Sequence, residues 1–414
     1  MQKLKTSFQK IKRKINKNNK VVSVLCIVIG ILYFFYILTL NSKMLFSKYD
    51  PIQAEIKYSQ SQWQQSQNVA VDKILDEWAI KNNYTGWSNY EDETANKLKA
   101  QSNKQKIIKA SQDKGVSDSF LYSYVGYKYI NGINPSLLNP EHPPLAKYLI
   151  GLSIIIFSNE HIVGIGIAFI VLLLVAIISY QIYNSIFLAS IMFLITALFP
   201  LFTDQIVNGP QLELYQLFFF LLVVHLLLMW TKKKKIIYVL FAGVFFGLLL
   251  STKTLLPFFL LFGTWLIIGL WKQWKVLLII FFVGALTFCM TYFSFFAQGG
   301  TLRTFLGLQK YIVTFYGHSN IPLFEFVGNY LRLIFTGSWK FWDTARSVTA
   351  YSEWNILWPI IFLIGMYKLK IQWSKYKYSH LLIWFIILYN LFVFIVPVFP
   401  RYLLLLFTPL IILI

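Results

Sequence analysis

Long apolar segments that alternate with short basic loops dominate this sequence from residue 21 onwards. A helix of about 20 apolar residues matches the thickness of a bilayer core, where the backbone has to satisfy its own hydrogen bonds. The predicted spans are 21–40, 161–183, 185–203, 211–230, 236–252, 254–271, 276–296, 355–367, 379–396 and 402–414. The sequence therefore predicts an all-α polytopic membrane protein with about ten transmembrane helices and a large, partly helical first outer loop.

Charge in this chain is sparse and unevenly placed. Only 13% of the residues are charged, whereas soluble domains carry about 25%. The formal net charge of +21 would indicate nucleic-acid binding in a soluble protein. Here Lys and Arg concentrate in loops between apolar segments, as they do in the cytoplasmic loops of membrane proteins. We therefore expect a lipid bilayer as partner and no nucleic acid.

Basic clusters predict one orientation for the spans. The clusters are the tail 1–20, Lys232–Lys235, Lys272–Lys275 and 368–377. If all of them face the cytoplasm, the connections on the outer side are 41–146, 204–210, 297–354 and 397–401. This alternation predicts a multi-pass plasma-membrane protein with a cytoplasmic N-terminus.

Two outer segments are long enough to carry structure of their own. The first, 41–146, is polar and contains helix-compatible stretches at Val71–Lys81 and Glu91–Gln112, and loops of this length are often functional. We predict interfacial helices and part of the active site there. The second, 297–354, is amphipathic and aromatic and is expected to lie along the outer interface. It would interrupt the multi-span domain, 147–414.

Ionisable residues recur where the predicted spans reach the outer boundary. They are Asp118, Glu213, Lys253 and Arg401, together with Glu141, His142 and Lys147 of the segment NPEHPPLAKYLIGL. The two adjacent prolines of that segment cannot both lie inside a regular helix and stiffen the backbone before the first long apolar run. The segment is therefore predicted to form the rim of a site at the water–lipid boundary.

Each of these residues also has an ordinary structural interpretation. Asp118 is suited to cap a helix N-terminus. The long aliphatic stems of Lys253 and Arg401 would allow their charged groups to reach the membrane–water interface. His142 beside proline is suited to bond its own loop. Glu213 is harder to explain in this way, because an ionisable group at a span end usually faces a cavity or a partner.

The combination of carboxylates and cations at one depth suits group transfer from a lipid-linked phosphate. Cations hold a phosphate as it gains charge on leaving, and a carboxylate takes the proton of the attacking hydroxyl. No His/Cys cluster has metal-ligand spacing, and both cysteines, Cys26 and Cys289, lie in apolar segments. No cofactor is predicted, and no spacing indicates a divalent cation, although Asp118 and Glu213 could share one.

At these residues the sequence resembles a known family. The segment NPEHPPLAKYLIGL closely resembles the one after the first outer loop in protein O-mannosyltransferases (glycosyltransferase family 39). More broadly it is similar to GT-C membrane glycosyltransferases, which include the aminoarabinose transferases of lipid A. Asp118 and Glu213 stand where the family has its first-loop acid and its second acid. Thr252–Lys253 matches a TK motif, and Pro400–Leu404 matches a late PRYLL motif.

The resemblance implies a GT-C-like bundle and an inverting transfer of a sugar from a polyprenyl-phosphate donor. The acceptor would be a hydroxyl or amine of a protein, glycan or lipid at the outer face, with Asp118 as general base. Lys253 and Arg401 would then bind the donor phosphate. The alternative functions are a flippase for lipid-linked sugars or another transporter, and a non-catalytic scaffold. A transporter usually has broken helices or inverted repeats with deeper charges, which the sequence does not indicate.

Overall fold

The structure, a computed structural model, is built almost entirely of helices. It describes residues 2–59, 116–253, 256–267, 273–317, 323–341 and 347–414. The helices, numbered in chain order, are α1 (Gln2–Leu40), α2 (Ser42–Leu45), α3 (Pro51–Ser59), α4 (Asp118–Ile130), α5 (Leu145–Phe157), α6 (Ile162–Tyr183), α7 (Ile186–Leu198), α8 (Pro200–Val207), α9 (Leu212–Lys233), α10 (Ile236–Leu250), α11 (Leu256–Ile267), α12 (Trp274–Thr291), α13 (Phe293–Ala297), α14 (Leu302–Gly317), α15 (Asn329–Thr336), α16 (Leu357–Lys375), α17 (His380–Ile395) and α18 (Leu404–Leu413). The helical stretches predicted at Val71–Lys81 and Glu91–Gln112 lie outside the described residues.

Among the described residues, four helices are long and apolar enough to cross a membrane. They are α6, α9, α12 and the part of α1 from Asn19 to Leu40. The bent pair of α7 and α8 makes a fifth span if it is counted as one. Shorter apolar helices stand where the sequence predicted spans at 236–252, 254–271, 379–396 and 402–414. The all-α polytopic membrane class is thus confirmed, with several spans shorter than predicted.

The predicted span 185–203 is two helices rather than one. The chain bends by 55° between α7 and α8, at Phe199 and Pro200. Proline has no N–H for the helical ladder but fits the first position of a new helix. The second helix continues to Val207, so Asp204, which was predicted to begin an outer loop, is helical.

The predicted span 355–367 is too short. Helix α16 continues through the basic residues that were assigned to a cytoplasmic loop and ends at Lys375. Lysine is a good helix former, and cations near a helix C-terminus are stabilised by the helix dipole. The change from apolar to basic sequence therefore marks the end of the apolar surface and not the end of the helix.

The described chain divides into two compact units. The bundle unit consists of Met1–Ser47, His161–Met290 and Ile321–Ile414. The loop unit consists of Lys48–Glu160 and Thr291–Asn320. In this division α5 falls in the loop unit, and the predicted multi-span domain 147–414 stays a prediction. The predicted interfacial segment 297–354 is divided between the two units.

Helix α9 lies at the centre of the bundle unit. It packs against α6 and α10, and buried side chains occur on all of its sides from Leu212 to Trp230. A helix that is apolar all round is expected in the interior of a bundle. Helix α18 is likewise buried along its whole length. The first turn of α9 is therefore buried even though it is a helix end.

Two glycines bring α4 and α5 of the loop unit into backbone contact. A Cβ on Gly126 would lie 2.9 Å from the backbone nitrogen of Gly151, and a Cβ on Gly151 would lie 2.6 Å from the carbonyl carbon of Gly126. Small residues allow helices to approach this closely. The crossing fixes α5, and with it Lys147, against α4.

Helix α3 is held on α4 by a carboxylate and an aromatic stack. Glu55 accepts hydrogen bonds from the Tyr124 hydroxyl at 3.2 Å and lies 2.5 Å from Lys128 Nζ. The rings of Tyr58 and Tyr124 stack with their centroids 4.2 Å apart. Burial, followed by the negative charge of Glu55, raises the pKa of the Tyr124 hydroxyl, which keeps it protonated as a donor. These contacts hold α3 against α4 within the loop unit.

A short antiparallel ribbon stands among the helices of the bundle unit. Strand β1 (Ser338–Lys340) pairs with strand β2 (Val348–Ala350), with Trp339 opposite Thr349. The Asn329 side chain accepts a hydrogen bond from the Lys340 N–H at 2.8 Å and so ties the ribbon to α15. Three-residue strands leave too little periodicity for a prediction from sequence.

Candidate functional site

Three of the predicted site residues meet in the bundle unit. Arg401 Nε lies 2.7 Å from Glu213 Oε1, and Lys253 Nζ contacts the same oxygen. Glu213 is 1% exposed and Lys253 is 3% exposed. We call these three side chains the ion-pair cluster. It joins residues 188 positions apart in sequence (401 − 213) around one buried carboxylate oxygen.

Each member of the cluster lies where one element ends or begins. Glu213 lies in the first turn of α9, where the helix dipole stabilises an acidic side chain. Lys253 follows α10 in a turn in which Thr252 Oγ1 donates a hydrogen bond to the carbonyl of Leu249 at 2.7 Å. Arg401 lies in a single 3₁₀ turn, Pro400–Leu403, just before α18. The fold thus presents three side chains at the same end of the buried helix.

Aromatic rings and one amide surround the cations. Lys253 Nζ lies 4.3 Å from the centre of the Tyr402 ring, and the Arg401 guanidinium carbon lies 5.1 Å from that of Phe399. Arg401 Nη1 donates a hydrogen bond to Gln211 Oε1 at 3.3 Å. A cation over a ring is stabilised more strongly where water is excluded. The cations are therefore held in fixed positions.

The cluster carries more positive than negative charge. Lys253 and Arg401 contribute two positive charges and Glu213 one negative charge, so the three side chains sum to +1. The second carboxylate oxygen, Glu213 Oε2, is buried and makes no hydrogen bond within the described part of the chain. An anionic group with hydrogen-bonding capacity is the ligand chemistry that suits such a site.

The interpretation of both cations as interfacial side chains is wrong. Lys253 is buried in an ion pair instead of reaching towards water, and Arg401 pairs with the same carboxylate. Their predicted proximity is observed. Their binding of a phosphate stays a prediction.

Lys147 of the loop unit has a different environment from the one predicted. It has no exposed surface, and its ammonium donates hydrogen bonds to the backbone carbonyls of Asn139 at 2.6 Å and His142 at 2.8 Å. Asn139 adopts the left-handed region at φ 48°, which asparagine tolerates better than most residues, and its amide donates to Glu141. Lys147 therefore stabilises its own loop from inside, and its place at the rim of a site stays a prediction.

The paired prolines mark the start of α5. Pro144 is the N-cap and the helix begins at Leu145, so neither proline interrupts a helical ladder. His142 stands before them, partly exposed, with its ring edge-to-face on Tyr122 at 6.0 Å. The rim position predicted for His142 and for buried Glu141 stays a prediction.

Asp118 does not cap α4. The N-cap is Ser117, whose side chain accepts a hydrogen bond from the Phe120 N–H at 3.3 Å. Asp118 occupies the first turn and is half-buried. Its alternative interpretation as a cap is therefore wrong, and its role as a base stays a prediction.

One acidic residue beside these elements was missed by the sequence reasoning. Asp204 on α8 accepts hydrogen bonds from Gln205 Nε2 at 2.9 Å and from Asn208 Nδ2 at 2.6 Å. Helix α8 contacts the turn that carries Arg401. The signal was Pro200, since a proline can begin a second helix and so bring Asp204 into ordered structure. Among the described residues, no three His, Cys, Asp or Glu side chains group together to hold a metal ion.

Comparisons with known proteins give one structural likeness. No protein-family model matches the sequence, and no curated protein matches it. Among solved structures, the chain is similar to ArnT from Cupriavidus metallidurans, crystallised bound to undecaprenyl phosphate, with a TM-score of 0.49 and 14% identity. The likeness covers 72% of this chain and 55% of that one, so this chain spans little more than half the length of the solved protein.

Proposed function

We propose that this protein is an integral-membrane glycosyltransferase that moves a sugar from a polyprenyl-phosphate donor to an acceptor hydroxyl or amine. The observation that carries the proposal is the ion-pair cluster, in which a lysine and an arginine share one buried carboxylate oxygen. The proposed donor is a membrane lipid, and the acceptor is a protein, glycan or lipid at the outer face of the plasma membrane. The order of motifs in the sequence supports this reaction class.

The charge of the cluster fits the charge of the donor. A sugar linked to a prenyl chain through one phosphate is a phosphodiester with a single negative charge. The cluster sums to +1, so the bound pair is neutral in a place where an uncompensated charge is costly. The planar guanidinium of Arg401 can donate two parallel hydrogen bonds to phosphate oxygens, and the ammonium of Lys253 adds a compact positive charge. The two cations therefore have complementary roles.

The transfer is a single displacement. The acceptor oxygen attacks the anomeric carbon, the bond from that carbon to the phosphate oxygen breaks, and the electron pair leaves with the phosphate. The proton of the acceptor passes to a carboxylate base, the role we assign to Asp118. The leaving oxygen gains partial negative charge as the bond breaks, and Lys253 and Arg401 stabilise this partial charge in the transition state. One displacement inverts the anomeric configuration.

The proposal is tested by release of polyprenyl phosphate. Protein reconstituted in nanodiscs is incubated with short-chain polyprenyl-phosphate sugars and a membrane extract as acceptor. We expect release by the wild type and at least about a tenfold lower rate for Lys253→Met, which keeps the aliphatic volume of the buried side chain. Lys275→Met makes the same change at an exposed lysine of the same unit and should leave the rate unchanged. Transport of the donor without release would instead support the flippase function.

A further inference from the structure

The proposed reaction changes the charge of the lipid, and the ion-pair cluster responds to that charge. The donor is a phosphodiester with one negative charge, whereas the released lipid is a phosphomonoester that loses its second proton near about pH 6. Attraction to the cluster grows in proportion to the ligand charge, whereas the cost of removing a charge from water grows with its square. A water-excluded site of fixed charge therefore discriminates between the two lipids.

We infer that Glu213 sets the charge of this site so that it binds the donor phosphodiester and expels the dianionic product. Its carboxylate reduces the summed charge of Lys253 and Arg401 from +2 to +1. For these three side chains and the ligand together, the sum is zero with a phosphodiester and −1 with a dianionic phosphomonoester. This assignment rests on the proposed function and makes Glu213 a specificity determinant instead of a proton carrier.

The geometry supports this role for Glu213. Its Oε1 holds both cations, and its Oε2 makes no hydrogen bond within the described residues. A ligand phosphate that approaches the same cations also approaches this carboxylate. In a buried site a carboxylate repels a phosphate dianion about twice as strongly as a phosphate monoanion at the same distance. Glu213 therefore lies where it would repel the second negative charge of the phosphate.

Few other ionisable groups could imitate this response. The described elements packed against the cluster bring Asp204 on α8, Tyr389 on α17 and Tyr402, and the Tyr389 hydroxyl donates a hydrogen bond to the Tyr402 carbonyl at 2.8 Å. Helix α6, which packs against α9, begins after His161, and burial lowers the pKa of this imidazole to about 4, which keeps it neutral across the tested interval. A phosphodiester that cannot lose a second proton controls for any protein group that changes charge between about pH 5.5 and about pH 7.5. A change in affinity across this interval then reports the second proton of the bound phosphate.

The test measures binding of two lipids that differ only in charge. Farnesyl phosphate becomes a dianion as the pH rises, whereas methyl farnesyl phosphate stays a monoanion. With wild-type protein in phosphatidylcholine nanodiscs, we expect the affinity for farnesyl phosphate to fall at least about threefold from about pH 5.5 to about pH 7.5. With Glu213→Gln it should rise over the same interval. The methyl ester should show little change with either protein.

Two further variants distinguish an effect of the site's charge on binding from an effect of the substitution on folding. Glu213→Gln combined with Lys253→Met restores the sum of +1 and should recover the wild-type direction of the pH response, although with weaker binding. Glu353→Gln makes the same substitution at an exposed site of the bundle unit and should behave as wild type. Equal pH responses in wild type and Glu213→Gln would overturn the inference while leaving the glycosyltransferase proposal intact. Failure of both lipids to bind any variant would overturn both.

Discussion

At the scale of single residues, removing one member of the ion-pair cluster should lower the free energy of unfolding by more than the intact ion pair contributes to it. Truncating one member of a buried, hydrogen-bonded ion pair typically costs about 3–5 kcal/mol because the other charge stays buried. Glu213, at 1% exposure, is such a residue. Conservative changes that keep shape are therefore more informative here than alanine, and the same reasoning applies to the other buried or half-buried ionisable groups.

Asp118→Asn tests the proposed base. Asparagine is nearly isosteric but accepts no proton, so we expect turnover to fall by about 10²–10⁴-fold with unchanged expression. Asp50→Asn is the matched control in the same unit, because Asp50 accepts the N–H groups of Ile52 and Gln53 and asparagine caps helices equally well. The readout is steady-state release of polyprenyl phosphate. Near-normal turnover by Asp118→Asn would remove the base assignment.

Lys147→Met tests whether that lysine stabilises the loop from inside. The substitution keeps the aliphatic volume but leaves the carbonyls of Asn139 and His142 without their donor. Each buried acceptor left unsatisfied costs about 1–3 kcal/mol. We expect a clearly lower temperature of thermal unfolding in detergent for Lys147→Met, and an unchanged one for Lys48→Met, which removes an exposed lysine of the same unit. A stable Lys147→Met protein with lost donor binding would support the rim interpretation.

At the scale of elements, the sequence predicts helices well and their ends less well. Apolar runs gave the positions of α6, α9 and α10 to within a few residues. The bend after α7 and the extension of α16 were missed because hydropathy reports the surface of a helix and not its hydrogen bonds. The close crossing of α4 and α5 has no hydropathy signal either, since it depends on which glycines face each other.

Gly126→Ala tests that crossing. The added methyl group would overlap the backbone of α5, where no flexible side chain can move aside. We expect the helices to separate, with lower yield of folded protein and loss of turnover. Gly166→Ala is the control, because a Cβ on Gly166 of α6 meets nothing within 4 Å and alanine favours a helix. The measurement is monodisperse yield in size-exclusion chromatography. Normal yield of Gly126→Ala would show that α4 and α5 do not depend on this contact.

At the scale of the whole molecule, the helix ends that carry the cluster were predictable and the positions of those helices around the bundle were not. Alternation of basic loops places Glu213, Lys253 and Arg401 at the same end of their helices. Their contact through one oxygen depends on which helices are neighbours, and this is decided by packing of α9 against α10 and α18. No local pattern in the sequence encodes that arrangement, although the predicted proximity of the two cations followed from their common depth.

The orientation of the whole chain in the membrane can be measured at the two ends of α9. Glu213 and Lys232 lie at opposite ends of α9, 19 residues apart (232 − 213), which is about 29 Å along a helix. The basic end should face the cytoplasm, and the ion-pair cluster should face the outside.

After replacement of Cys26 and Cys289, single cysteines at the exposed positions Asn208 and Lys234 are labelled with a membrane-impermeant maleimide. Asn208→Cys should react in intact cells and Lys234→Cys only after permeabilisation. The reverse pattern would place the cluster at the cytoplasmic face and contradict transfer to an outer acceptor.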